Sequence, residues 1–518
     1  MLSKFNMDKY LKIGSASDLQ GRDRFLYRAL EIMPAFLSWI TLLLLILFSW
    51  LQPVWTAFFI IAFDLYWLLL VLFLGLHLIS AYSQLKKNIK INWEEKCKEL
   101  KSKINYQDIY HLIVLPVYNE ATEIVQGALE SLLKDGYDSK KMMVVLTAEE
   151  RGGAKVLNEY KNTVNNFKDK FGEFLFVIHP DGIVGEQKGK GANQAWAGKI
   201  VKEKIIDAKN YNYDNIIVSV FDIDTIVKPG YFYRLTHAFL TAEDRYHTSY
   251  QPVPVYNNNL WEAPFFARVA AMSNTFWQMM QQIRHEKLAT YSSHSMSWRA
   301  LADINFWSVN MVSEDSRIFW HCYCYYNGNY RVEPLYYPVS MDVCMDKTNL
   351  QTIKNLYKQQ RRWGWGVENL PYLIFNIIKR WPKITKKNAS SRIFTQVYGF
   401  HSWATNALII GVIGWFPLLL GGENFTSTVL SGNLPVVTRT LMTLAMSGLI
   451  LSAIVSTLLL PKKPKKYGVL KYLIMFFQWL ILPVSIVIFG AIPALESQTR
   501  MALSGKWRLG FWVTPKER

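Results

Sequence analysis

Two aspartates one residue apart, Asp222 and Asp224, follow the apolar run IIVSVF in the segment VFDIDTIVKPG. If the run is a buried strand, alternation places both carboxylates on one side of an extended chain. Carboxylates converging there suit a divalent cation that also takes phosphate oxygens; solvated loop aspartates are the plainer alternative. Upstream, GEQKGKGANQAWA sets Lys188 and Lys190 among Gly185, Gly189 and Gly191 where a helix is expected to start. Lysines and free backbone N–H groups at such a start can receive phosphate. The glycine spacing is neither a P-loop nor a dinucleotide fingerprint, so an ordinary loop fits the segment equally well.

Two further stretches carry candidate chemistry. In VSEDSRIFW, Ser313 reads as an N-cap with Glu314 and Asp315 in the first helical turn, where acids complement the helix dipole. That explains them structurally; a general base that takes a proton from a bound hydroxyl explains them functionally. In LYKQQRRWGWG, helical spacing puts Gln359, Arg362 and Trp363 on one face, with Arg361 rotated away. The amide and guanidinium can bond hydroxyls or phosphate, and the indole offers a flat apolar surface to a sugar ring. A juxtamembrane aromatic and basic belt accounts for the same residues, with Arg361 and Trp365 serving the membrane surface.

The elements that must position these groups are legible as alternating runs. HLIVLPVY, MMVVLTA, FLFVIH and IIVSVFD are strand-like and separated by helix-like stretches, which predicts a mostly parallel sheet with helices on its faces. Ligands bind such sheets at the carboxyl ends of the strands. The residues there are Asn119 and Glu120, Glu149 to Arg151, Pro180 to Gly182, and Asp222 to Asp224. Each of the four exits carries an acidic residue.

Taken in order, PVYNE, KGKGAN, DID, SED and QQRRW, with the tail FWVTPK, resemble the processive family 2 glycosyltransferases, such as the cellulose, hyaluronan and chitin synthases. The resemblance implies an α/β GT-A catalytic domain, Rossmann-like, inserted between two clusters of transmembrane helices. It implies inverting transfer of a sugar from a nucleotide-sugar donor, a UDP-sugar in the first instance, with Mg2+ or Mn2+. By motif match, Asp224 binds the metal, and Asp222 binds it too or contacts the donor. Asp315 is the base, with Glu314 beside it. Tyr118 and Glu120 lie near the nucleobase and Lys190 near the donor. Arg362 and Gln359 hold diphosphate or acceptor, and Trp363 stacks on the acceptor sugar. The chain departs from the family pattern at LTAEERGG, where Glu149 becomes the candidate nucleobase contact. It departs again at YSSHSMSWR, where His294 and Ser295 are candidate acceptor residues.

Apolar blocks at Met33 to Trp50, Val54 to Ser80, Phe394 to Leu420, Leu434 to Leu460 and Leu470 to Leu495 approach the ~20 residues that cross a bilayer. Lys and Arg crowd beside the first, second and third blocks and in PKKPKK at 461–466. The positive-inside rule therefore puts the N-terminus, the polar middle and that loop in the cytoplasm of a multi-pass plasma or inner membrane protein. The net charge of +18 follows from this topology and needs no nucleic acid. Five full spans would leave the basic tail outside, so the last block, with Pro483 and Pro493, is expected to be re-entrant or broken. Asp64 lies within the second block and is given no role.

The resulting divisions are a cytoplasmic segment 1–32, a transmembrane hairpin 33–82, the catalytic domain 83–368 and an amphipathic interfacial helix with basic linker 369–392. A transmembrane region of about three segments, 393–495, and a basic tail, 496–518, complete the chain. Cys97, Cys322, Cys324 and Cys344 fall on the cytoplasmic side, where thiols stay reduced. His321 with three of them lacks a CxxC knuckle, and ordinary half-buried residues fit better than zinc.

Three functions remain open at this level. The chain elongates a polysaccharide and passes it through its spans; or it adds one sugar to a lipid or lipid-linked acceptor; or it is a non-catalytic scaffold or transporter with a degenerate domain. Accessory subunits are compatible with each.

Overall fold

The computed structural model describes residues 9–381 and 383–514; Pro515 and Lys516 of the tail motif lie outside the described residues. The four apolar runs are strands β1 (Tyr110–Val117), β2 (Met142–Glu149), β3 (Glu173–His179) and β4 (Ile216–Val220). They pair in parallel in the order β3-β2-β1-β4. Every residue of β2, and all but the first of β1, is buried. Both faces of these strands are covered, which is why they read as continuous apolar runs.

The sheet then continues through strands the alternation did not flag: β5 (Ile226–Val227), β6 (Thr248–Tyr256), β7 (Ser295–Ser297) and β8 (Arg331–Met341). The full order is β3-β2-β1-β4-β7-β6-β8-β5. β7 runs antiparallel to both β4 and β6, and β5 antiparallel to β8. The sheet is therefore parallel on one half and mixed on the other. β7 has three residues, while prolines interrupt β6 and β8 near the register shift at Gln251/Val253.

Two apolar cores sandwich the sheet. On one face the Lys190–Val201 helix is tied to the strand ends by Asn193. Its Oδ1 accepts from the Thr147 hydroxyl at 2.6 Å, and its Nδ2 donates to the Thr147 and Val117 carbonyls at 2.9 and 3.4 Å. This bond set fixes where Lys190 emerges.

Helices Gly21–Leu51, Pro53–Lys90, Val429–Leu458 and Leu470–Leu503 are each long and apolar enough to cross a membrane. Lys386–Gly411 and Ile413–Leu420 together form a fifth such unit, bent by 42°. The last helix changes to 3-10 geometry at Gln478–Ile481 and to π geometry at Val487–Ala491, next to its two prolines. The Asn369–Lys379 helix is largely buried, with Leu370, Tyr372, Leu373, Phe375 and Ile377 in the protein interior and Ile378 exposed.

The sheet domain and the apolar helices are interlocked. Arg268, 3% exposed, donates to Gln478 of the last helix at 2.7 Å. Arg361 pairs with Glu496 at 2.7 Å, and Ser497 donates to the Arg361 carbonyl at 2.7 Å. Replacing Asn193 by Ala takes away the partner of the buried Thr147 hydroxyl, at a cost of about 1–3 kcal/mol. The Asn193→Ala protein is expected to unfold several degrees below wild type, measured by thermal denaturation in detergent.

Candidate active site

The segment Phe221 to Thr225 leaves β4 as a turn, closed by the Thr225 N–H on the Asp222 carbonyl at 2.8 Å. The extended-chain alternation expected for the two aspartates therefore does not apply, and they face different partners. Asp222 accepts from the Ser292 hydroxyl at 2.7 Å and pairs with Lys190 at 2.7 Å. Asp224 is 3% exposed and accepts from the Asp342 backbone N–H at 3.0 Å. Asn258 spans this pair, donating to the Asp224 carbonyl at 2.9 Å and to Asp342 Oδ1 at 2.8 Å.

Lys190 is the hub. Gly189, with φ +141°, precedes it and lets the chain enter the helix while Lys190 turns into the cleft. Its Nζ lies 2.7 Å from Asp222, 2.9 Å from Asp315 and 3.9 Å from Glu314. Burial pulls the lysine pKa down, but Asp222, Asp315 and Glu314 outweigh it and the net shift is upward. Lys188, two residues away, instead forms an exposed pair with Asp181 at 2.8 Å.

The SED helix, Glu314–Tyr325, starts at the cleft. Ser313 is at the N-cap position but its side chain makes no cap bond. Glu368 instead anchors the residues leading into the helix: its Oε1 takes the N–H groups of Val312 and Ser313 at 3.1 and 2.8 Å. Asp315 retains access to the cleft, whereas Glu314 is buried. Burial raises the Glu314 pKa, Asp315 raises it further, and Lys190 only partly opposes them.

The acceptor candidates separate. Trp363 lies 6.0 Å from the Tyr256 ring, and Gln359 is half-buried on the same helix. Arg362 stacks 5.1 Å over Phe511 of the tail, and its Nε has no hydrogen-bond partner among the described residues. His294 is buried, 4.0 Å from Asp315, with Nδ1 on the Tyr291 carbonyl and Nε2 without a partner among the described residues. Burial lowers its pKa. Ser295 is not in the cleft: it is fully buried in β7, its hydroxyl 2.7 Å from Ser219. Trp365, expected at a membrane surface, is 1% exposed and donates to Glu368 at 3.0 Å. Arg361, also expected there, is held by Glu496.

At the other end, Glu120 accepts the Tyr118 N–H at 2.8 Å. Arg151 stacks 4.2 Å over Tyr118 and forms an ion pair with Glu149, which is 5% exposed. A small cleft between Arg151, His179, Gly182 and Gln187 adjoins them. The tail runs over this region: Gln187 donates to the Leu509 carbonyl at 3.3 Å, and Phe511 lies against Gly189 so closely that any Cβ there would clash with it. Lys358 sits 5.3 Å over Trp512.

Sequence reasoning missed Ser292, Asn258, Tyr256, Asp342 and Glu368, and placed Arg151 only as a strand-end residue. Ser292 and Arg151 stood inside stretches already singled out; for Asp342 and Glu368 no motif offered a signal. Among the described residues, no three His, Cys, Asp or Glu side chains are arranged to hold a metal by themselves. The four cysteines are buried and free. The acidic groups nonetheless fit a divalent ion. Asp222 and Asp315 converge on Lys190, and Asp224 leaves the same turn two residues after Asp222; with phosphate oxygens and water as further ligands, Asp222 and Asp224 would suit such a cation.

No curated protein matches the chain. Among solved structures, the mannosyltransferase PcManGT from Pyrobaculum calidifontis, in complex with GDP-Man and Mn2+, is similar at 12% identity and a TM-score of 0.43. The alignment covers 77% of this chain and 98% of that one. Residues 1–349 of S. aureus TarS, in complex with UDP-GlcNAc, are similar at 11% identity and a TM-score of 0.36, over 67% of this chain and 90% of that one. A family model described as glycosyl transferase family group 2 matches residues 217–492, just over half of the chain. That match begins in β4, takes in both the SED and QQRRW helices and continues through the apolar helices beyond them. The chain belongs to glycosyl transferase family group 2, and its GT-A-like sheet with flanking apolar helices is that of a membrane-associated glycosyltransferase.

Proposed function

We propose that this enzyme transfers a sugar, with inversion, from a nucleotide-sugar to a growing polysaccharide, and that the spans can pass the product across the membrane. A UDP-sugar is the first donor to test. The observation that carries the reading is the convergence of Asp222 and Asp315 on Lys190. One end of that triad faces a donor at the strand ends, and the other an acceptor beside Trp363.

In this reading Asp315 accepts the proton of an acceptor hydroxyl, whose oxygen forms the new bond to the anomeric carbon as the bond to the diphosphate breaks. Tyr118, Glu120 and Glu149, with Arg151, border the nucleobase. Lys190 leaves Asp315 for the arriving diphosphate, which frees the carboxylate as a base and supplies positive charge to the leaving group. Arg362, whose Nε lacks a partner among the described residues, is the second cation for that charge. Mg2+ or Mn2+ held by Asp224 and Asp222 would supply further charge stabilisation for the diphosphate. Trp363 and Gln359 hold the acceptor sugar, and the buried His294 orients groups around Asp315. Glu314, kept protonated near neutral pH, is the neutral neighbour rather than the base.

The QQRRW helix rests on the last apolar helix, where Gly364 meets Ala494 so closely that a Cβ would lie 3.1 Å from its Cα. An acceptor leaving Trp363 therefore meets the apolar helices, which supports a polymer entering them. It equally accommodates a lipid-linked acceptor, and product length separates the two. In nanodiscs with Mn2+ and a panel of UDP- and GDP-sugars, diphosphate release accompanied by products of many lengths is expected. Products extended by one sugar would select the lipid-linked reading, and no release with any donor would overturn transfer.

Two variants test the roles. Asp315→Asn is expected to lower turnover by at least about 10²-fold while donor KM changes little; near-normal turnover would contradict the assignment. Glu314→Gln tests the proton on Glu314. A carboxyl whose pKa rises on folding from 4.5 to about 8 contributes stability that is full at low pH and is lost as pH climbs through about 8. Wild type should therefore lose thermal stability between pH 5 and pH 8.5 relative to Glu314→Gln, measured as unfolding midpoints across that range.

A further inference from the structure

The loop PKKPKK between helices Val429–Leu458 and Leu470–Leu503 is built against the catalytic domain rather than left in solvent. Trp261 donates its indole N–H to the Pro461 carbonyl at 3.3 Å, stacks on Tyr467 at 6.1 Å and meets Tyr472 edge-on at 5.3 Å. Lys466 pairs with Glu262 at 3.0 Å. Lys462 and Lys465 are exposed and pair with no carboxylate among the described residues. On either side of the loop the helices expose apolar side chains, with Leu458 56%, Val469 77% and Leu470 67% exposed. Such flanks belong in hydrocarbon, so the lysines between them stand at headgroup level.

The segment that receives the loop also carries the acidic site. Asn258 holds the Asp224 carbonyl and the Asp342 carboxylate, and Asn259 bonds both backbone groups of Val343, at 2.7 and 3.0 Å. Trp261 and Glu262 follow within four residues of Asn258, and a helical turn, Ala263 N–H on the Asn259 carbonyl at 3.1 Å, makes the stretch one unit. Arg268 then locks the same region to the last helix through Gln478.

We propose that loop 461–466 is a docking surface for anionic lipid headgroups, and that their binding tightens the Asn258–Glu262 segment and with it the cation affinity of Asp224. Positive-inside sorting alone would place lysines in this loop but would give them no influence on the acidic strand end. The coupling rests on the reading of Asp224 as a metal ligand; the lipid site does not.

The test compares wild type with Lys462→Gln/Lys465→Gln, and with Lys386→Gln/Lys387→Gln as a basic control elsewhere, in nanodiscs of phosphatidylcholine with or without phosphatidylglycerol. Native mass spectrometry counts retained lipid, and electron paramagnetic resonance follows bound Mn2+ without any turnover. A lysine at an anionic surface is worth roughly fivefold in binding. The loop variant is therefore expected to lose about twenty-five-fold of the preference for phosphatidylglycerol, and the control to keep it. Phosphatidylglycerol should lower the half-saturating Mn2+ concentration of wild type severalfold and leave that of the loop variant unchanged. Equal phosphatidylglycerol retention by wild type and loop variant overturns the lipid site. A Mn2+ response identical in both lipids overturns the coupling. Absence of any Mn2+ binding, with lipid retention as predicted, overturns the metal reading and the coupling together and leaves the lipid site standing.

Discussion

A single buried ammonium organises the catalytic cleft. Lys190 joins the turn after β4, through Asp222, to the start of the SED helix, through Asp315 and Glu314. Carboxylates from separate elements can approach this closely in a low-dielectric setting only with a cation between them, and removing one member of such a cluster typically costs about 3–5 kcal/mol. The cluster therefore sets the spacing of Asp222 and Asp315. It also explains Gly189: the residue before the lysine must adopt a positive φ and leave room for Phe511, and a side chain there would be strained and would collide.

The SED helix is held from behind by parts of the chain outside the sheet. Glu368 anchors the residues that lead into it, and the fully buried Arg317 ties it to the Asn369 side chain, the Glu368 carbonyl and the Ile13 carbonyl in the N-terminal segment. Glu31 binds both Arg28 and Arg508, so the first apolar helix is pinned to the tail that crosses the cleft. The apolar helices are thus structural partners of the site, and the start of the SED helix is held both by the N-terminal segment at Ile13 and by Glu368 and Asn369 beyond the QQRRW helix.

What the sequence made legible follows from where the physics is local. β1 to β4 announce themselves because strands buried on both faces need continuous apolar runs, and the site residues at their ends are found by position alone. The mixed half of the sheet was opaque: β7 has three residues, and β6 and β8 contain prolines, so pairing partners supply what the sequence pattern lacks. Asp222 and Asp224 were recognisable as a pair, but the turn that points them in different directions comes from Thr225 and the Asp342 backbone, which no spacing rule contains. Trp365 looked like a membrane residue by composition and is a core residue by contact, because Glu368 and Arg508 cover it. Ser295 stood next to a residue of the cleft and, by the period of two in a strand, points into the sheet instead.

The central claim is that Lys190 holds Asp315 at rest and transfers to the donor diphosphate. The most direct measurement is a cryo-electron microscopy structure in nanodiscs with Mn2+ and a non-transferable donor analogue. The account predicts Lys190 Nζ within hydrogen-bonding distance of a diphosphate oxygen and Asp315 released toward an acceptor at Trp363. A bound diphosphate with the Lys190–Asp315 pair still closed would contradict it.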